Sequence, residues 1–169
     1  TVGSGTSEGN NTVKIFVNDS SGNMIENKNA WFVVDNTNPS VTLVSPDNSA
    51  WNNTKAMTFR FNPLDNLNLK NATVFTNISG WNVNNSNASA LTNNTEAGIT
   101  VQFSADGSYL WNIRACDNSE NCAFATSNRT LFIDTTPPTI STPTSNRTYN
   151  TQAVAVNISF LVTETNLDQ

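Results

Sequence analysis

Apolar residues recur along this chain at every second position. Met57, Phe59 and Phe61 alternate with Thr58, Arg60 and Asn62, and Ile99, Val101 and Phe103 repeat the pattern. Val13, Ile15 and Val17 do the same, as do Trp111, Ile113 and Ala115. A period of two is that of a pleated strand with one dry and one wet face. It predicts strands over residues 40–45, 55–62, 72–79, 98–104, 108–116 and 124–134. In the third of these Val74, Thr76 and Ile78 share a face. The stretch 80–95 is rich in Asn and Ser and reads mostly as loop, with a short edge strand around Trp81 to Val83. Asp106-Gly107 is a turn signal. No segment of useful length carries the 3.6-residue period, so the expectation is all-β: antiparallel sandwiches with essentially no helix. Trp111 lies on the inward phase and reads as core. Tyr109 reads either as a corner tyrosine bonding back to the backbone or as an ordinary strand aromatic.

The pattern also repeats on a longer scale. Val13-Ile15-Val17-Asp19 aligns with Trp111-Ile113-Ala115-Asp117 at an offset of 98, and Asp35 aligns with Asp134 at 99. Residues 40–61 align with 139–160, and Asn68-Leu69 with Asn166-Leu167. About 98 residues is the size of one immunoglobulin-type sandwich. Residues 1–38 then read as the closing strands of a first unit, 39–137 as a complete domain, and 138–169 as the opening strands of a third.

Each copy joins an alternating strand to a polar turn, a second strand and an Asp-to-Pro exit. The first copy reads Asp19-Ser20-Ser21-Gly22-Asn23 and then Val34-Asp35-Asn36-Thr37-Asn38-Pro39. The second reads Asp117-Asn118-Ser119-Glu120-Asn121 and then Ile133-Asp134-Thr135-Thr136-Pro137-Pro138, with Glu120 in the place of Gly22. Over nearly the whole chain this pattern resembles the tandem immunoglobulin-like (Ig-like) repeats of bacterial and archaeal cell-surface proteins and adhesins. The Asn content and the run from Trp111 to Asn118 are similar to archaeal members. The resemblance implies an extracellular repeat protein. Independently of it, the Asp of the turn can bond backbone amides while Gly or Asn takes positive φ. The prolines stiffen the exit between units.

Composition narrows the chemistry. The 169 residues include 30 Asn, 23 Thr, 17 Ser and no His; 8 Lys and Arg stand against 13 Asp and Glu, for a net charge of −5. Without His there is no Ser-His or Cys-His pair and no His-ligated metal. Eight scattered basic residues make a poor surface for nucleic acid or anionic lipid. No apolar run approaches the roughly 18 residues of a membrane helix. The absence of a signal peptide and of an initiator Met reads as a mature or excised segment. The abundance of Asn argues against a hyperthermophilic source.

Four groups of residues remain as candidates. Cys116 and Cys122 flank the last hairpin turn, where strands bring Cα atoms to disulfide distance; a thiol or metal pair is the alternative. Eleven N-x-S/T sequons occur, at Asn10, Asn18, Asn52, Asn71, Asn77, Asn84, Asn87, Asn93, Asn128, Asn146 and Asn157. Chance alone gives about seven; Asn84, Asn87 and Asn93, in the expected loop, are the favoured acceptors. Asp19, Asp35, Asp117 and Asp134 fall at turns and unit boundaries. Capping is their ordinary role, and calcium at Asp35 and Asp134 is the alternative, otherwise with no metal and no cofactor. Trp51, Trp81 and Tyr149 lie near expected loops, where aromatic rings stack on sugars or simply pack.

No catalytic pair emerges, so the expectation is a non-enzymatic structural module of an extracellular surface protein: a stalk, spacer or filament subunit. Its partners would be its own or neighbouring Ig-like domains joined head to tail, by strand sharing between chains or by continuity within a longer one. The alternatives are an adhesin or carbohydrate-binding module engaging host or surface glycans, and an accessory domain of a secreted enzyme.

Overall fold

The computed structural model describes residues 6–87, 91–145 and 157–166, without the side chains of Lys28, Asn87 and Ser145. None of the described residues is helical. In chain order the strands are β1 (Gly9–Asn18), β2 (Met24–Val34), β3 (Ser40–Ser45), β4 (Ala50–Asn52), β5 (Ala56–Leu64), β6 (Leu69–Thr76), β7 (Asn82–Asn87) and β8 (Ala97–Gln102). There follow β9 (Gly107–Asp117), β10 (Cys122–Phe124), β11 (Arg129–Ile133) and four two-residue strands, β12 (Thr139–Ile140), β13 (Thr144–Ser145), β14 (Ile158–Ser159) and β15 (Val162–Thr163).

Residues 39–134 form a β-sandwich. One sheet has the order β3-β5-β8; the other runs β4-β11-β9-β6-β7, with β10 on the end of β9. Phe59, Phe61, Ile99, Val101 and Phe103 from the first sheet meet Val74, Trp111, Ile113, Leu131 and Ile133 from the second in one buried cluster. The rings of Phe59 and Trp111 sit 4.6 Å apart across the layer. Arg129 ties the sheets at one edge: its guanidinium donates to the carbonyls of Leu43, Val44 and Pro46 while lying over the Trp111 ring. Charge-assisted bonds of this kind hold carbonyls at and just beyond the irregular end of β3.

The alternation therefore placed the core strands, with Met57, Phe59 and Phe61 inward and Trp111 fully buried. Tyr109 is a corner tyrosine: its hydroxyl donates to the carbonyl of Ala105 at 2.8 Å. Four expectations need correction. The third core strand is Leu69–Thr76 rather than 72–79. Within 80–95 lies a full edge strand, β7, whose backbone pairs with β6 although its side chains are almost all polar. The strand expected over 124–134 is broken: the buried amide of Asn112 donates to the Ala125 carbonyl and to Asn128, and after the bond from the Ala125 amide to the Ile113 carbonyl the chain leaves the ladder until Arg129. The pairing is not wholly antiparallel, since β4, too short for a periodic signal, pairs parallel to β11.

On either side of the sandwich lie smaller pieces. β1 and β2 form a two-stranded ribbon. β12 pairs with β15 and β13 with β14, in a small open ladder.

Candidate functional site

Two hairpin turns in this chain are built the same way. In each, an aspartate caps the loop that follows it. Asp19 Oδ1 accepts the amides of Ser21 and Asn23, and its Oδ2 accepts Asn23 Nδ2 at 2.7 Å. Asp117 Oδ1 accepts the amides of Ser119 and Asn121, and its Oδ2 accepts Asn121 Nδ2 at 2.8 Å. Bonding from the Asn23 side chain and amide holds the Asp19 carboxyl below its ordinary range. The fourth turn residue has positive φ in both: 85° at Gly22 and 70° at Glu120. Glutamate therefore adopts the left-handed conformation that glycine takes in the first turn, at a cost of about 1–2 kcal/mol.

The strand registers coincide as well. Gly9↔Val34, Asn11↔Phe32 and Val13↔Ala30 in the ribbon correspond to Gly107↔Ile133, Tyr109↔Leu131 and Trp111↔Arg129, at offsets of 98 and 99. Val17↔Ile25 and Asn18↔Met24 correspond to Ala115↔Ala123 and Cys116↔Cys122. The last pair is a disulfide, with Cα atoms 4.2 Å apart. At the other end of the chain, Thr139↔Thr163, Ile140↔Val162 and Thr144↔Ser159 stand 99 residues on from Ser40↔Leu64, Val41↔Pro63 and Ser45↔Arg60.

What differs is burial. The side chains of Trp111, Ile113 and Leu131 are wholly covered by the facing sheet. In the ribbon, Ile15, Val17 and Ile25, on the face that corresponds to the covered one, are 50%, 60% and 72% exposed. Among the described residues nothing lies over that face. In the C-terminal ladder Ile140, Ile158 and Leu161 are exposed too.

Carboxylates gather where the ribbon runs into the sandwich. Asp35 follows β2, Asp65 follows β5, and Asp117 ends β9. One carboxylate oxygen from each lies within 4.8 Å of the others. Asp117 is fully buried and Asp65 is 6% exposed. Asp65 Oδ2 accepts the Leu67 amide, whereas its buried Oδ1 has no hydrogen-bond partner. Burial raises the Asp35 carboxyl above its ordinary range, and the neighbouring Glu8, Asp117 and Asp65 push the same way against a bond from the Thr37 amide. Glu8 joins the group; its carboxylate accepts Asn66 Nδ2, the Asn36 amide and the Thr37 hydroxyl, which hold it below its ordinary range. Asn121 Nδ2 donates to the Asp35 carbonyl, so the second turn is bonded to the exit of the ribbon.

Of the boundary aspartates picked out in sequence, the structure brings Asp35 and Asp117 together. Asp19 caps its own turn. Asp134 stands elsewhere, accepting the Thr136 amide and Asn166 Nδ2. Sequence reasoning missed Asp65. The signal was there in the repeat: Glu164 lies 99 residues beyond Asp65, as Asp134 lies 99 beyond Asp35.

Trp51 stacks on Phe132 with ring centroids 4.5 Å apart. Trp81 clusters with Phe75 and Phe124, on which the Arg114 guanidinium also lies. Tyr149 and the sequon Asn146 lie outside the described residues. Asn84 and Asn87 fall on β7 rather than in a loop. Asn93 is bonded through both ends of its amide to the Asp65 backbone. Asn77 and Asn128 accept hydrogen bonds from the Leu110 amide and from Asn112, and Asn52 donates to Thr54. Asn10, Asn18 and Asn157 are exposed, and Asn71 is half-buried.

No helix among the described residues is long and apolar enough to cross a membrane. Compared with protein-family models and with curated proteins, the chain matches none.

Proposed function

We propose that this chain is a non-enzymatic structural module of an extracellular surface protein, a stalk, spacer or filament subunit built of Ig-like units. Its terminal pieces are completed by neighbouring units. The observation that carries this reading is the pair-for-pair register of two hairpins of which only one is covered. A two-stranded ribbon is at best marginally stable alone in water. Each large apolar side chain left bare forgoes roughly 1.5–3 kcal/mol. In the sandwich, the equivalent face packs on β3 and β5, and the pairs β12–β15 and β13–β14 keep the register of β3 with β5. The C-terminal ladder of one copy is thus the matching cover for the ribbon of the next. A disulfide suits an oxidising compartment outside the cytosol.

Sedimentation velocity over a concentration series tests this directly. Head-to-tail growth with concentration is expected, and it should vanish on deletion of residues 138–169. A monomer at every concentration contradicts assembly between chains.

A second reading, as an adhesin or carbohydrate-binding module, is favoured by one feature: Trp81, 40% exposed beside Phe75 and Phe124. Glycan-array binding lost in Trp81→Ala would support it over the structural role.

A further inference from the structure

The carboxylate group at the first boundary has a property that turn capping does not explain. Asp19 and Asp117 cap turns with identical bonds, yet only Asp117 is buried against two further carboxylates. Asp65 and Asp117 are buried and Asp35 half-buried, and like charges this close repel unless a proton or a cation lies among them. The ion pairs Lys55–Asp106, Arg60–Glu96 and Lys70–Glu120 do not reach the group. The buried Asp65 Oδ1 has no donor. An oxygen wholly out of water and unpaired is a costly arrangement unless a ligand uses it.

We propose that Asp35, Asp65 and Asp117 bind a hard divalent cation, of which calcium fits best. Calcium–oxygen distances of about 2.3–2.6 Å allow two ligands of one ion to stand up to about 5 Å apart. The three oxygens, all within 4.8 Å of one another, meet that limit. An all-oxygen set with neither His nor Cys selects calcium, magnesium or manganese over zinc or copper. A loosely spaced set on three separate elements suits the adaptable calcium shell better than the strict magnesium octahedron. Water and backbone carbonyls complete a shell of that size. Because the ligands come from the exit of β2, the end of β5 and the end of β9, the ion locks the ribbon to the sandwich. That makes it a stiffening device for the joint, alongside the bonds from Asn121 to Asp35 and from Asn66 to Glu8. The site lies within one chain and needs no assembly.

A corollary rests on the strand-sharing reading. At the second boundary Asp134 and Glu164 occupy the places of Asp35 and Asp65, 99 residues on. The residue 98 positions before Asp117 is Asp19, on the ribbon that strand sharing would bring to that boundary. Asp19 of a second copy would complete a second site at the joint between chains.

The test is calorimetric titration of the metal-stripped chain with calcium chloride at a concentration where it is monomeric, paired with melting curves in calcium and in chelator. Binding of a single ion is expected, with a rise in melting temperature of several degrees. Asp65→Asn keeps an acceptor for the Leu67 amide and should weaken binding at least about tenfold. Asp35→Asn should do the same, and the distant, exposed Asp47→Asn should change nothing. No binding heat together with identical melting curves overturns the proposal, as does undiminished affinity in Asp65→Asn. Repeating the titration under assembling conditions tests the corollary alone. A second ion per chain that Asp19→Asn removes upholds it. A stoichiometry that stays at one ion while the chain assembles overturns it and leaves the first site standing.

Discussion

The ribbon β1–β2 and the hairpin formed by β9 with β10 and β11 share a turn, a capping aspartate and a strand register, yet they live in opposite surroundings. Where β9 presents Trp111, Ile113 and Ala115 to a facing sheet, β1 presents Val13, Ile15 and Val17 to solvent. Local sequence is therefore enough to specify the hairpin: turn residues, the Asp cage and alternation suffice for register. Tertiary cover is what turns a hairpin into part of a domain. Substitution at equivalent positions should separate the two contributions.

The largest effect is expected for Trp111→Ala, which should cost about 3–5 kcal/mol in denaturant unfolding of the sandwich. Val13→Ala, at the equivalent place, should stay within about 0.5 kcal/mol for the unassembled chain. Its effect should appear instead as weaker association.

Cross-linking comes next. Replacing Cys116 and Cys122 together by Ser removes a bond that closes a short loop and should cost about 2 kcal/mol in the same unfolding experiment. The converse change sharpens the comparison: Asn18→Cys with Met24→Cys places thiols at the same register position in the ribbon. These should oxidise spontaneously, as seen by non-reducing mass spectrometry, and slow amide exchange in the ribbon.

The turns differ at Ser20 against Asn118 and at Gly22 against Glu120, and changes at the second, left-handed position should have opposite signs. Glu120→Gly relieves a left-handed glutamate and should stabilise the sandwich by up to about 1 kcal/mol, less the small contribution of the exposed Lys70–Glu120 pair. Gly22→Ala should loosen the ribbon, read as faster amide exchange there.

The smallest effect concerns pH. Asp106 accepts the Thr135 amide and the Thr135 and Thr136 hydroxyls, while Glu8, 98 residues earlier, accepts from Asn36 and Thr37. Bonding from the Thr135 amide, with Lys55 nearby, lowers the Asp106 carboxyl below its ordinary range. A depressed folded-state value means stabilisation in full above the unfolded value and its loss as pH falls through the folded one. Melting temperature should therefore drop below about pH 4, and Asp106→Asn should flatten part of that drop.

The core strands were legible in the sequence because burial imposes alternation, and the β9–β10 disulfide because the turn spacing imposes register. The edge strand β7 was not, because it pairs through its backbone while Asn82, Asn84 and Ser86 face water or hydrogen-bond to neighbouring residues and Asn85 reaches the Thr100 carbonyl of β8. Strand β4 escaped through shortness, and the break at residues 125–128 through the choice of Asn112 to bond Ala125. Asp65 was a lone acid until the fold carried it to Asp35 and Asp117, some 30 and 50 residues away in the chain. Nor does alternation distinguish a face that is covered from one that waits for cover: the ribbon and β9 read alike.

That last distinction is the centre of the account, and amide hydrogen exchange measured across a range of protein concentrations tests it most directly. Amides of β1 and β2 should gain protection as concentration rises, together with those of β12 and β15, while β9 and β11 remain protected throughout. Protection of the ribbon that is independent of concentration, or a ribbon that stays unprotected under every condition, would contradict completion by a second copy.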